Sequence, residues 1–353
     1  MTTPLTIDLE ALKNFLVELL NTPSPTGYTD KAIDLVERAF RRPPLDVRRT
    51  AKGALIVEWA GRPAIRDRTP RALTAHVDTL GAMVKQIKKN GRLKLTKIGA
   101  FAWNTVEGEG CTVFAAAGAP VRGTLLVTKA SSHIFGAETE GMKRDDDGME
   151  VRLDARTGSE KETQELGIAV GDFVAFDPRV EVGEAGFIRS RHLDDKAGVA
   201  CLFGAVKALL DANEVPAQRT TLLFSHYEEV GHGAAAGIPA DVVELLAVDM
   251  AAVGRGQASD ELSACICVKD SGGPYHLAMR HRLVQLAEAA AIPYKLDIYP
   301  YYGSDGEAYW RAGGDVRVGL VGPGVDASHN YERTHLESLK ATAQLVAEYI
   351  RAE

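Results

Sequence analysis

The chain has 353 residues, 45% of them hydrophobic and 25% charged, with a formal net charge of −7. That is an ordinary globular composition with ample length for a core, and it is too acidic for a protein that grips a phosphate backbone. No run approaches the roughly 18 apolar residues of a membrane span. The opening MTTPLTIDLEALKNF lacks the basic and apolar regions of a signal peptide, and four cysteines are few for the length, so the reading is a cytoplasmic protein without nucleic-acid or membrane partners.

In chain order, the first segment predicts two helices. Asp8 caps the first, Leu9, Leu12, Leu16 and Leu19 follow at helical spacing, and TPSPTG at 22–27 ends it. Thr29 or Asp30 caps the second, which carries Ala32, Leu35, Val36 and Phe40 on one face and stops before Pro43 and Pro44. Ala54–Ala60 and Arg71–His76 are short apolar runs suited to strands buried on both faces. From about residue 82 the texture changes to short alternating runs (AMVKQI, RLKLTKI, CTVFAA, VRGTLLV, MEVRLD, DFVAF), with Ser159–Leu166 as the one short helix candidate. This predicts an all-β, barrel-like domain inserted at 81–187. The α/β texture then returns. A helix is expected at Asp194–Leu210, and strands at Thr220–Ser225, Leu245–Asp249, Ala264–Val268, 295–299 and 316–321. Further helices fall at 275–290, 304–312 and 335–352. The alternation predicts a three-layer α/β domain assembled from 1–80 and 188–353.

Five segments place histidines and acids where strands should end. They are TAHVDTLG (His76, Asp78), SRHLDDKAG (His192, Asp194, Asp195), SHYEEVGHG (His226, Glu228, Glu229, His232), AVDM (Asp249) and ASHNYERTH (His329, Glu332, His335). Functional groups of open α/β sheets gather beyond the carboxyl ends of the strands. Buried acids and imidazoles are unfavourable there unless something pairs them. A pair of divalent cations would do so, balanced by three carboxylates and a hydroxide, with two neutral imidazoles completing the set. Such ions also bring the pKa of water down to about 7.

In order, the motifs AHVDTLG, HLDDKAG, EEVGHGA, VD and SHNYE resemble metallopeptidase family 42, the tetrahedral or glutamyl-type aminopeptidases. The likeness covers nearly the whole chain and includes the inserted β domain. A narrower likeness, through SRHLDDKAGVA, YEEVGHGAA, KDSGGPYH, YYGSDGEA and GVDASHNYERTH, is to a branch associated with the N-acetylglutaminylglutamine amide osmoprotectant system. That association is one of genomic neighbourhood, not of substrate. The resemblance implies a zinc-exopeptidase-like catalytic domain and an enzyme that removes N-terminal residues from short peptides. It implies two divalent metal ions, zinc foremost and cobalt or manganese as alternatives. His76 and Asp249 would bind the first metal, Glu229 and His329 the second, and Asp194 would bridge them. Glu228 would be the general base, and Asp78 would hold the other nitrogen of His76. A homo-oligomer is also implied, from a dimer through the inserted domain to a tetrahedral dodecamer. Two positions depart from the family pattern: Thr79 follows the HxD aspartate where an acid is usual, and Asn330 follows His329 where Ser is usual.

Other readings stand beside these. A metal-dependent amidohydrolase, removing acyl groups from amino acids or peptides, would use the same scaffold. A catalytically silent binding protein would not need Glu228. A glycosidase would need two acids flanking one bond, whereas neighbours on a strand such as Glu228 and Glu229 point to opposite faces. Asp195 is either a support for the site or a helix N-terminal acid. His192, His226 and His232 lie near the motifs, and His335 reads as a helix terminus. Cys265 and Cys267 read as buried strand cysteines, Gly231 and Gly233 as tight backbone. Ser304 and Asp305, between Gly303 and Gly306, read as either a helix cap or a loop near the site.

Overall fold

The computed structural model describes residues 5–353. The chain divides into two compact units, one formed by the segment up to Asp78 with Arg179–Glu353, the other by Thr79–Pro178.

The first unit is built on a mixed sheet. Thr220–Ser225, Arg71–His76, Glu244–Val248 and Arg317–Asp326 run parallel in that spatial order. Leu55–Trp59 joins antiparallel on one side, and Ala264–Lys269 lies antiparallel to Arg317–Asp326 on the other. Tyr294–Ile298 then pairs parallel with Ala264–Lys269. The parallel strands are almost wholly buried because both faces are covered, and period-two alternation sorts their side chains between two cores. Leu55, Val57, Leu73, Ala75, Leu222, Phe224, Leu246 and Val248 face the helices Leu9–Leu20, Leu193–Asp211 and Leu336–Arg351. Ile56, Ala72, Leu223, Leu245, Ala247 and Leu320 face a second core with Ala234, Ile238, Tyr309 and Trp310. Each fully buried Leu or Phe contributes about 1.5–3 kcal/mol of transfer free energy.

Local signals behave as their chemistry dictates. The Asp8 carboxylate accepts from the Ala11 N–H at 3.0 Å and caps the first helix, a contribution of about 1 kcal/mol. Thr29 precedes the helix Asp30–Phe40 but caps nothing with its side chain; its hydroxyl meets His226 Nδ1 at 2.8 Å. Cys265 and Cys267 are buried free thiols on one strand, both in the second core. His335 sits at the N-terminus of the last helix, where its Nδ1 accepts from the Glu337 N–H at 3.0 Å.

The second unit is a closed six-stranded antiparallel barrel, formed by Gly81–Ile87, Leu93–Ile98, Met149–Leu153, Val121–Val127, Gly110–Phe114 and Phe173–Phe176 in that order. Its interior is filled by Val84, Leu95, Val113, Leu125, Val151, Val174 and their neighbours. Closure removes the exposed edges that six short strands would otherwise present. Ser159 caps a short helix, Glu160–Glu165, as its sequence suggests. Two further helical turns, Ser132–Phe135 and Ala137–Gly141, are too short to leave a periodic signal in the sequence. Among the described residues no helix is long and apolar enough to cross a membrane.

Candidate metal centre

The parallel strands deliver their carboxyl ends to one place. His76 is the last residue of Arg71–His76, and Asp249 directly follows Glu244–Val248. Glu228 and Glu229 lie in the turn beyond Thr220–Ser225. Asp194 stands at the start of the helix Leu193–Asp211, where its backbone is still non-helical, and the Asp194–Asp195 peptide bond is cis. His329 lies in the turn after Arg317–Asp326, with a left-handed φ of 62°.

Asp194 is the centre of the cluster. Its Oδ1 is 3.1 Å from His76 Nε2, and its Oδ2 is 3.2 Å from His329 Nε2. On one side, His76, Asp194 and Asp249 bring ligand atoms within 4.8 Å of one another. On the other, Glu229 Oε2 lies 3.7 Å from His329 Nε2. Glu228 Oε2 lies 3.7 Å from His76 Nε2. All five residues read from the sequence as ligands therefore meet in one cluster, together with the residue read as the base.

The electrostatics ask for positive charge. Burial and the nearby Asp194 push the carboxyls of Asp249 and Glu229 up to about 8. Burial also raises Glu228 far above the carboxylate range. Burial acts to raise Asp194 too, but His329 and His76 hold it well below its ordinary value. Two buried oxygens, Glu229 Oε1 and Asp249 Oδ1, have no hydrogen-bond partner. Buried acceptors left without donors are rare, because each forfeits its hydration without return. Imidazole and carboxylate are the donors that zinc and related dications take, so the residues fit such ions.

Surrounding groups fix the donors. His76 Nδ1 is 2.9 Å from the Asp78 carbonyl and 3.5 Å from the Asp78 carboxylate. The sequence reading had the carboxylate orient this ring; the nearer partner is the main chain. The carboxylate, beside the ring, also accepts from Thr26 Oγ1 at 2.6 Å and from the N–H groups of Glu228 and Glu229 at 3.3 and 3.4 Å. Asp195, left open by the sequence, does both things considered for it: it accepts from the His76 N–H at 3.3 Å and from the helical Gly198 N–H at 3.1 Å.

One expectation needs correction. Glu228 and Glu229 do not point to opposite faces, because the strand ends at Ser225 and Tyr227 takes a left-handed φ of 70°. Both carboxylates face the cluster, each beside a different imidazole.

Sequence reasoning left three contributors without a firm role. Asp305 accepts from Thr74 Oγ1 at 2.8 Å, from the Ala234 N–H at 2.7 Å and from Ser225 Oγ, tying two strands to the 228–234 loop. Lys52 Nζ holds the carbonyls of His232 and Gly233 at 2.7 and 3.0 Å. Glu332 accepts from two main-chain N–H groups of the site. The signal for Asp305 was its place between glycines before a helix, and that for Glu332 its spacing of three from His329.

The same packing explains Gly233. A Cβ there would lie 2.2 Å from Asp305 Oδ1 and 3.1 Å from the Glu228 Cα, and the triply bonded Asp305 cannot withdraw. Gly233→Ala is expected to displace the Glu228 backbone, lowering turnover at least tenfold and stability by about 1–3 kcal/mol. Thermal denaturation with steady-state kinetics checks this, and wild-type values for both would refute the packing argument.

Comparison with known proteins agrees with this geometry. A family model described as M42 glutamyl aminopeptidase matches residues 53–345. YhfE of Bacillus subtilis (strain 168), which carries an aminopeptidase name, is 49% identical over 335 residues, covering 95% of this chain and 96% of YhfE. Among solved structures, the aminopeptidase APDkam598 of Desulfurococcus kamchatkensis is similar with a TM-score of 0.87 at 21% identity, covering 98% of this chain and 96% of that one. The TET1 peptidase of Pyrococcus horikoshii gives 0.84 at 21% identity, covering 97% and 100%. These last two likenesses carry the α/β domain and its barrel. By the family match over residues 53–345 and the likeness to YhfE, the chain belongs to the M42 glutamyl aminopeptidase family and is a peptidase.

Proposed function

We propose that this protein is a two-cation aminopeptidase that removes N-terminal residues from short peptides. The observation that carries the reading is Asp194, whose two oxygens face two imidazoles on opposite sides. His76 and Asp249 would hold one divalent ion, Glu229 and His329 the other, and Asp194 both. The unpartnered oxygens of Asp249 and Glu229, one on each side, support the same division. Zinc suits the donor set best; cobalt and manganese accept the same ligands, and availability decides among them.

Cations held there would supply Lewis acidity toward a peptide carbonyl and would acidify water. The chain's own part is proton transfer and orientation. Glu228 takes the proton of the attacking water as the new C–O bond forms and returns it to the departing amine nitrogen as the C–N bond then breaks. Its side chain, 16% exposed, is open enough to meet substrate, whereas that of Glu229, 4% exposed, is enclosed. The Asp78 carboxylate keeps both main chains in place. A cleft of about 560 Å³, lined by Ser271, Gly272, Tyr302, Glu307 and Trp310, offers room for a substrate side chain. Tyr302 links it to the cluster, donating to the Met250 carbonyl at 2.7 Å beside Asp249.

The protein is read as a cytoplasmic homo-oligomer, with the barrel unit serving dimerisation or substrate access. The P. horikoshii relative is described as assembling into a tetrahedron or a large octahedral shell, which supports a homo-oligomer here, from a dimer to a tetrahedral dodecamer. The deacylase alternative gains no support.

The test is a panel of free and N-acetylated short peptides, assayed before and after chelation. Free peptides are expected to be cleaved, acetylated ones refused, and activity abolished by chelator and restored by zinc, cobalt or manganese. Cleavage of acetylated peptides at equal rates would favour the deacylase. Full activity after verified metal removal would end the two-cation reading.

A further inference from the structure

Two segments of the site, far apart in sequence, are joined by one buried side chain. Glu332 is 1% exposed. Its Oε2 accepts from the Asp194 N–H at 3.1 Å and its Oε1 from the His329 N–H at 2.9 Å. Neither N–H belongs to regular structure. Asp194 has φ −76° and ψ 110° within an otherwise helical stretch, and His329 has φ 62°. Main-chain donors in such places need an acceptor from a side chain. Glu332 is itself fixed, as the first residue of the strand Glu332–His335, opposite Ser190 in the antiparallel strand Phe187–Ser190.

The two residues it joins are those whose side chains meet at 3.2 Å, Asp194 Oδ2 and His329 Nε2. A like device recurs within the site, where Asp78 takes the N–H groups of Glu228, beside His76, and Glu229, beside His329. In each case one carboxylate holds two residues of the cluster by their backbone N–H groups.

We propose that Glu332 is a positioning residue for the second cation, setting the separation of Asp194 and His329 so that both face one ion. It does not contact the ion. This inference rests on the two-cation reading. It differs from a merely structural role in one respect: loss of Glu332 should weaken one of two ions selectively.

The experiment measures Zn²⁺ affinity at each site of the full chain by chelator competition, with thermal unfolding alongside, for wild type, Glu332→Gln and Glu332→Ala. Wild type should bind two ions. In Glu332→Ala the ion that His329→Ala removes should be weakened by about 10–100-fold and the other left unchanged, the usual effect of removing a group that orients a ligand. Turnover should recover as zinc is raised. Glu332→Gln keeps the shape and one acceptor and should fall between; if the alanine variant fails to fold, the glutamine variant decides. Equal weakening of both ions, or a second-ion affinity within twofold of wild type, overturns the proposal. Wild-type protein that binds fewer than two ions instead removes the two-cation reading, and this proposal with it.

Discussion

Glu228→Gln is expected to cost about 10²–10⁴-fold in turnover while both cations stay bound. The amide has the shape of the acid and can still accept a hydrogen bond, but it cannot carry a proton from water to a leaving amine. The neighbourhood singles out this acid. Glu229 lies beside His329 with its side chain enclosed, whereas Glu228 lies beside His76, partly open to solvent. The Glu228 backbone is held through its N–H by Asp78, so the substitution has little scope to move it. Metal content and steady-state kinetics on one preparation check the prediction. Unchanged turnover would assign the base elsewhere, and loss of an ion would make Glu228 a ligand.

His329→Ala is expected to reduce binding from two ions per chain to one. His329 is the imidazole on its side of Asp194, 3.2 Å from that carboxylate and 3.7 Å from Glu229. Its removal leaves that side with carboxylates alone, while His76, Asp194 and Asp249 stay together on the other. His329 is only half-buried, so the fold should survive, and the unfolding temperature provides the control. Elemental analysis after dialysis gives the number directly. Two ions retained would remove His329 from the site.

The candidate ligands were legible in the sequence because each sits beside a strong local signal. Arg71–His76 and Thr220–Ser225 are apolar runs that stop at polar residues, and both strands have those bounds. Asp194 opens a long apolar helix whose start carries acids. The barrel was legible as alternation broken by turn residues. Side-chain direction within turns was not. The left-handed φ of Tyr227 swings Glu228 and Glu229 toward a common centre, against the strand rule, and no pattern in SHYEEVGHG announces it. Nor could spacing show that the Asp78 carbonyl lies nearer to His76 than its carboxylate does, or that this carboxylate also takes two main-chain N–H groups.

Local patterning specifies the donor types, the strands and helices that carry them, and the insertion of an all-β segment into an α/β frame. Periodicity is local, and it reports which faces are apolar and where a run of them ends. Which donors meet is a matter of how the whole domain packs. His76, Asp194 and His329 are separated by more than a hundred residues at each step; His76 and His329 converge because strands pair in parallel with aligned carboxyl ends, and Asp194 reaches them from the start of the helix Leu193–Asp211. That register arises from burying both faces of one sheet at once, a condition on the whole domain that no single segment contains. The roles of Asp305 and Glu332 belong to the same class: each is an acid whose partners exist only after distant main chains have been brought within hydrogen-bonding reach.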